Sequence, residues 1–135
     1  MKDFDVWNVQ KKELDEKQNL PYFKEGEIWW CAVGLNIGRE MYGKGNNFRR
    51  PILIMKKLSL DSCIGIPMTT VSRMGSWFYP LVIFNKTQYA VMNQIRLFSA
   101  KRLQTKLTQI SKEEFWKLKK SVASLLGLSE NNHQT

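Results

Sequence analysis

From Glu25 onward the chain is a succession of short apolar runs, EIWWCAVGL, PILIMKK, SCIGIPM, FYPLVIF and QYAVMNQI, each ended by polar or glycine-bearing residues. Runs of this kind, rich in Ile, Val, Trp and Phe and interrupted about every ten residues, are the pattern of a small all-β sheet or barrel. At 135 residues the chain is about one domain long, enough to bury a single core. Four glycines and asparagines follow Gly38 closely in IGREMYGKGNN, which marks a loop between the first two runs.

Helical signals sit at the two ends. Residues 1–22 are charge-dense, with Phe4, Trp7 and Leu14 at irregular helical spacing, and Pro21 closes the segment. A short N-terminal helix is expected there. The segment SKEEFWKLKKSVASLLG at 111–127 has Ser111 and Glu114 placed for a capping box and Gly127 for the stop. Phe115, Leu118, Val122, Leu125 and Leu126 share one face of that helix. The tail 128–135 carries little to bury and is expected to be disordered. The expected organisation is an N-terminal extension at 1–22, one domain at 23–127 and this tail.

The net charge of +9 is unevenly placed: residues 28–112 hold thirteen Lys and Arg against Glu40 and Asp61. A strand-rich body with so few carboxylates projects a positive field, for which phosphate backbones are the common partner. No apolar stretch approaches a membrane span, and the first residues lack signal-peptide order; this reading places the protein in the cytoplasm. Cys31 and Cys63 each lie inside an apolar run and read as buried reduced thiols.

The segments GEIWWCAVG at 26–34, GRE at 38–40, RRPILIM at 49–55, IPMTT at 66–70 and QIRLFSAKRL at 94–103, followed by the amphipathic helix, stand in a fixed order. In order and spacing, over residues 23–127, the chain resembles the MazF/PemK toxin family. The resemblance implies a mainly β fold with α, an SH3-like half-open β-barrel of the CcdB/PemK type with a C-terminal helix. It also implies a homodimer that cleaves single-stranded RNA at preferred sequences without metal or cofactor, leaving 2′,3′-cyclic phosphate and 5′-hydroxyl ends. A cognate antitoxin would neutralise it by laying an acidic segment in the RNA groove. The related CcdB toxins share the barrel but poison gyrase by protein contact, so a non-catalytic toxin, or a module that only binds RNA or antitoxin, is the alternative.

Metal-free RNA cleavage needs the ribose 2′-hydroxyl to attack its own phosphate, with a proton acceptor, a donor to the leaving oxygen and positive charge on the phosphorane. The one histidine, His133, is in the tail, which rules out a two-histidine pair. On the resemblance, Arg50 stabilises charge at the phosphate and Thr69 binds the scissile phosphate or the 2′-oxygen, a role its neighbour Thr70 can exchange with it. Glu40 either accepts the 2′-proton or forms an ion pair with Arg39 or Arg50. The stretch MYGKGNNFR between Glu40 and Arg50 is longer than the family's usual few residues. Within it, Tyr42, Lys44, Asn46 and Asn47 suit stacking on and hydrogen-bonding to bases, and a loop without a role is the other reading. Arg49 points away from Arg50 if the pleat has begun. Arg73 is a candidate phosphate contact and Trp77 a stacking or packing residue. Of the adjacent Trp29 and Trp30, one faces the core and one faces out. Arg96 and Arg102 match positions that tie the last strands to the dimer.

Overall fold

The computed structural model describes residues 19–33, 49–71 and 75–128. Of the expected N-terminal helix, only residues 19–22 are described, and they are irregular, as the restriction Pro21 imposes on its neighbour requires. The rest of that helix, the loop bearing Glu40 and the 129–135 part of the tail lie outside the described residues. Seven strands follow in order: β1 Glu27–Ala32, β2 Arg49–Ser59, β3 Ser62–Thr69, β4 Phe78–Ile83, β5 Lys86–Val91, β6 Arg96–Ser99 and β7 Leu103–Gln109. Helix α1, Lys112–Leu125, closes the described chain.

All pairings are antiparallel, in the order β4-β5-β3-β2-β1-β7, with β6 on β3. β3 is the branch point. One edge of it pairs with β2, while the other takes β6 along Ser62–Gly65 and β5 at Met68 and Thr69. β4 and β7 end the sheet without pairing, so the sheet does not close on itself. A groove of about 380 Å³ follows the seam between them.

The sheet is buried on both faces, which is why β2 reads as an unbroken apolar run. Leu53 and Met55 join Ile28, Ile66, Met68, Leu81 and Ile83 in one core cluster, whereas Ile52 and Ile54 join Trp29, Cys31, Cys63, Phe98 and Leu103 in the other. Leu118 and Val122 of α1 complete the first cluster, and Phe23 packs into the second. Gly65 stands where that second core is tightest: a Cβ there would come within 2.6 Å of Ile52 Cγ2 and 3.1 Å of Phe98 Cδ2.

Helix α1 starts as its sequence indicates, with the Ser111 hydroxyl accepting from Glu114 N at 3.0 Å. The capping box is only half used, because Glu114 Oε2 instead accepts a 2.6 Å hydrogen bond from the Tyr79 hydroxyl of β4. Gly127 ends the helix at φ +76°. Leu126, expected on the buried face, is exposed, since the chain leaves helical geometry at that residue. β7 has no apolar run of its own: only Leu103 is buried, and the strand forms through its pairing with β1.

Candidate functional site

The register of β2 against β3 decides where the candidate residues meet. Ile52 faces Pro67 and Leu53 faces Ile66, so each step back on β2 is matched by a step forward on β3. The ladder ends at Ile52–Pro67; Arg50 lies two residues before Ile52 on β2 and Thr69 two residues after Pro67 on β3, where β3 pairs with Tyr89 of β5. Cross-strand partners share a face of the sheet. Arg50 therefore lies on the face of Ile52 and Ile54, and Thr69 joins it there.

Arg50 is half-buried, and burial holds its guanidinium below its ordinary pKa. Its ladder partner on the other side is Cys31 of β1. The Thr69 hydroxyl accepts a 3.1 Å hydrogen bond from Val71 N as the chain turns out of β3. That contact fixes the oxygen and leaves its proton free for an outside acceptor, for which a phosphate oxygen is suited. A half-buried guanidinium and an oriented hydroxyl thus lie at the same end of two adjacent strands, and both groups are of a kind that can donate to an anion.

Arg49 turns to the opposite face, as the pleat demands, with its guanidinium carbon 4.5 Å from the Trp30 ring centroid and Nη1 donating to Gln104 Oε1 at 3.3 Å. Trp29 is the inward tryptophan, buried with its Nε1 donating to Glu27 Oε1 at 2.9 Å, and Trp30 is the half-exposed one. Thr70 is exposed beyond the end of β3. Trp77 is not brought to Arg50: β5 separates it from β3, and its ring packs at 5.8 Å against Phe78. Glu40, Tyr42, Lys44, Asn46, Asn47 and Arg73 lie outside the described residues.

A buried carboxylate that the site reading overlooked is Glu27. It is 4 % exposed. Lys24 N and Trp29 Nε1 both donate to Oε1 at 2.9 Å, and Lys106 Nζ lies 3.1 Å from Oε2. Burial pushes its pKa up, but the hydrogen bonds from Trp29, Lys24 and Lys106 and the Lys106 charge outweigh it, and the net shift is downward. Glu27 is a structural anchor joining β1 to β7. Its signal in the sequence was a lone acid inside the run EIWWCAVG. Cys31 and Cys63 are buried free thiols, as expected, pushed by burial up to about 12 and about 11. Among the described residues no three His, Cys, Asp or Glu side chains cluster as metal ligands, and no helix is long and apolar enough to cross a membrane.

Residues 24–126 match the family model described as the PemK-like, MazF-like toxin of type II toxin-antitoxin systems. The chain belongs to that family. Solved MazF-type structures share its fold. An endoribonuclease from a mycobacterial species, in complex with its cognate antitoxin, matches with a TM-score of 0.59 at 18 % identity over 80 % of this chain and 96 % of that one. A MazE–MazF complex from Deinococcus radiodurans matches with a TM-score of 0.59 at 15 % identity over 82 % and 98 %. A MazF toxin of Mycobacterium tuberculosis gives the same TM-score at 14 % identity over 76 % and 98 %. The comparison with curated proteins returned no match.

The match to the PemK/MazF-like family begins at Lys24, three residues before Glu27, and ends at Leu126, one residue past α1.

Proposed function

We propose that this PemK/MazF-like toxin is an endoribonuclease of the cytoplasm that cuts single-stranded RNA by attack of a ribose 2′-hydroxyl on the adjacent phosphate. What supports the reading is that Arg50 and Thr69 each lie two residues beyond the Ile52–Pro67 pair, at the same end of β2 and β3 and, by strand alternation, on the same face. Arg50 meets the scissile phosphate with two parallel N–H donors and offsets the charge that builds on the phosphorane. Thr69 donates its hydroxyl proton to a phosphate oxygen or to the 2′-oxygen. A guanidinium is too weak an acid for easy proton release, so Arg50 acts by charge and orientation. Glu40 is the candidate acceptor of the 2′-proton; Lys44, Tyr42, Asn47, Arg73 and Thr70 are candidate RNA contacts, and Arg49 and Trp77 would touch RNA only away from Arg50.

The wider surroundings support an anionic substrate, since thirteen cationic residues face two acidic ones between residues 28 and 112. Reaction without metal, assembly as a homodimer and capture by an acidic antitoxin segment belong to the same proposal. The test is incubation of the purified protein and its Arg50→Ala variant with a long unstructured RNA in EDTA, followed by mapping of the ends. Discrete cuts with 5′-hydroxyl ends, lost in the variant, support the reading. A well-folded protein that cuts nothing overturns it and favours a toxin acting by protein contact.

A further inference from the structure

A second basic feature adjoins Arg50 and Thr69 and is used by neither. Ala32 and Val33 at the end of β1, with Arg96, Phe98, Ser99 and Arg102, enclose a recess of about 200 Å³. It lies one strand from Arg50: Cys31 of β1 is the ladder partner of Arg50, and the next residue, Ala32, lines the recess. Both Arg102 and Arg96 are near enough to Cys31 for their charges to act on its thiol.

Among the described residues the two guanidiniums are held in place without being neutralised. Arg102 Nη1 donates to Ala32 O at 3.1 Å, which leaves most of its five N–H donors unspent. Arg96 lies with its guanidinium carbon 4.6 Å from the Phe98 ring centroid, and stacking orders the fork while leaving its N–H edges open. Among the described residues neither arginine meets a carboxylate. Both are exposed, so a ligand gains their charge without uncovering a buried pair. Phosphate oxygens match such forks, as carboxylate oxygens do, and phosphate is the group that an RNA backbone presents at every step. Arg96 pairs with Gly65, four residues before Thr69 on β3, about 13 Å along the strand at roughly 3.3 Å per residue. That separation is too great for one phosphate to be shared by both sites.

We propose that Arg96 and Arg102 bind a second backbone phosphate of the RNA whose scissile phosphate lies between Arg50 and Thr69, fixing the direction in which the strand leaves the cut. This inference rests on the ribonuclease reading. It makes Arg96 a positioning residue in place of the dimer-tying role expected for it.

The experiment uses the full chain, wild type, Arg96→Gln and Arg96→Lys, and a short 2′-O-methyl RNA spanning a mapped cut. Its affinity is followed by fluorescence anisotropy over a range of KCl concentrations. Loss of one phosphate contact flattens the slope of log K against log[KCl] by about 0.7 for single strands. The expected result is that flattening in Arg96→Gln, recovery of the slope in Arg96→Lys, and a rise in KM for cleavage that exceeds any fall in kcat. Equal slopes in all three proteins, with cutting by the wild type intact, overturn the subsite and leave the ribonuclease reading standing. Equal slopes together with weakened binding of a labelled poly-glutamate peptide by Arg96→Gln would reassign the recess to protein carboxylates. Absence of any cut by the wild type removes both readings.

Discussion

Arg50 lies two residues before Ile52 and Thr69 two residues after Pro67, the ladder partner of Ile52, so the two extend one face of the β2–β3 pair at the same end, and neither side chain is far from solvent. Each then has a separable contribution. Arg50→Lys keeps the charge but loses the planar fork, and is expected to lower kcat/KM by at least about tenfold; Arg50→Ala is expected to lower it by about 100-fold or more. Thr69→Val removes the donated proton and should cost about 10- to 100-fold, the worth of a hydrogen bond to a charged group, while Thr69→Ser retains most activity. Single-turnover cleavage of one end-labelled RNA checks all four variants, and equal activity of Thr69→Val and wild type would remove Thr69 from the site.

Glu27 makes stability depend on acid. Its folded-state pKa lies below the ordinary 4.5, so the unfolded chain takes up its proton first as the pH falls. The stabilisation it supplies is complete above about 4.5 and disappears as the pH drops through the lower folded value. Glu27→Gln should cost about 1–3 kcal/mol at neutral pH, because Lys106 and two buried donors lose a charged acceptor. It should also flatten the decline of Tm below pH 4.5. Thermal melts of both proteins across the acid range measure this.

Gly65 is expected to resist even a methyl group. Gly65→Ala places a carbon 2.6 Å from Ile52 Cγ2 and should cost about 1–3 kcal/mol through overpacking. In an Ile52→Ala background the closest contact is gone and only the Phe98 Cδ2 approach at 3.1 Å and the Leu53 O approach at 3.2 Å remain, so the same substitution should cost measurably less. Urea unfolding of the two single variants and the double variant gives the coupling directly.

Tyr79 and Glu114 tie β4 to the first turn of α1 through their 2.6 Å hydrogen bond. Burial first, then the Glu114 hydrogen bond and charge, push the Tyr79 hydroxyl up to about 12 from 10.0. A raised folded value means stability is intact below pH 10 and is lost as the pH climbs through about 12. Tyr79→Phe should cost about 1–3 kcal/mol at neutral pH and remove that alkaline loss. A variant with unchanged stability would show that the bond contributes nothing to holding the helix.

The five apolar runs made β1 to β5 legible because each buries enough of its own side chains to declare itself, and Ser111 and Gly127 marked the ends of α1 because capping is local. β7 was not legible: LQTKLTQ buries only Leu103 and becomes a strand because β1 offers it an edge. Glu114 could be placed at the helix start, but its turn toward Tyr79, 35 residues earlier, has no local signal.

The amino-acid order by itself determined the strand segments, the closing helix and the buried thiols, whereas Arg50 and Thr69 were candidates only through the resemblance to the MazF/PemK family. It did so because burial periodicity, capping and residue chemistry act over a few neighbouring positions. Only the tertiary structure decided that Arg50 and Thr69 share a face, that Arg49 is turned away onto Trp30, and that Arg96 and Arg102 meet beside Ala32. Those relations depend on register between strands far apart in sequence, where a slip of one residue would carry every side chain to the opposite face.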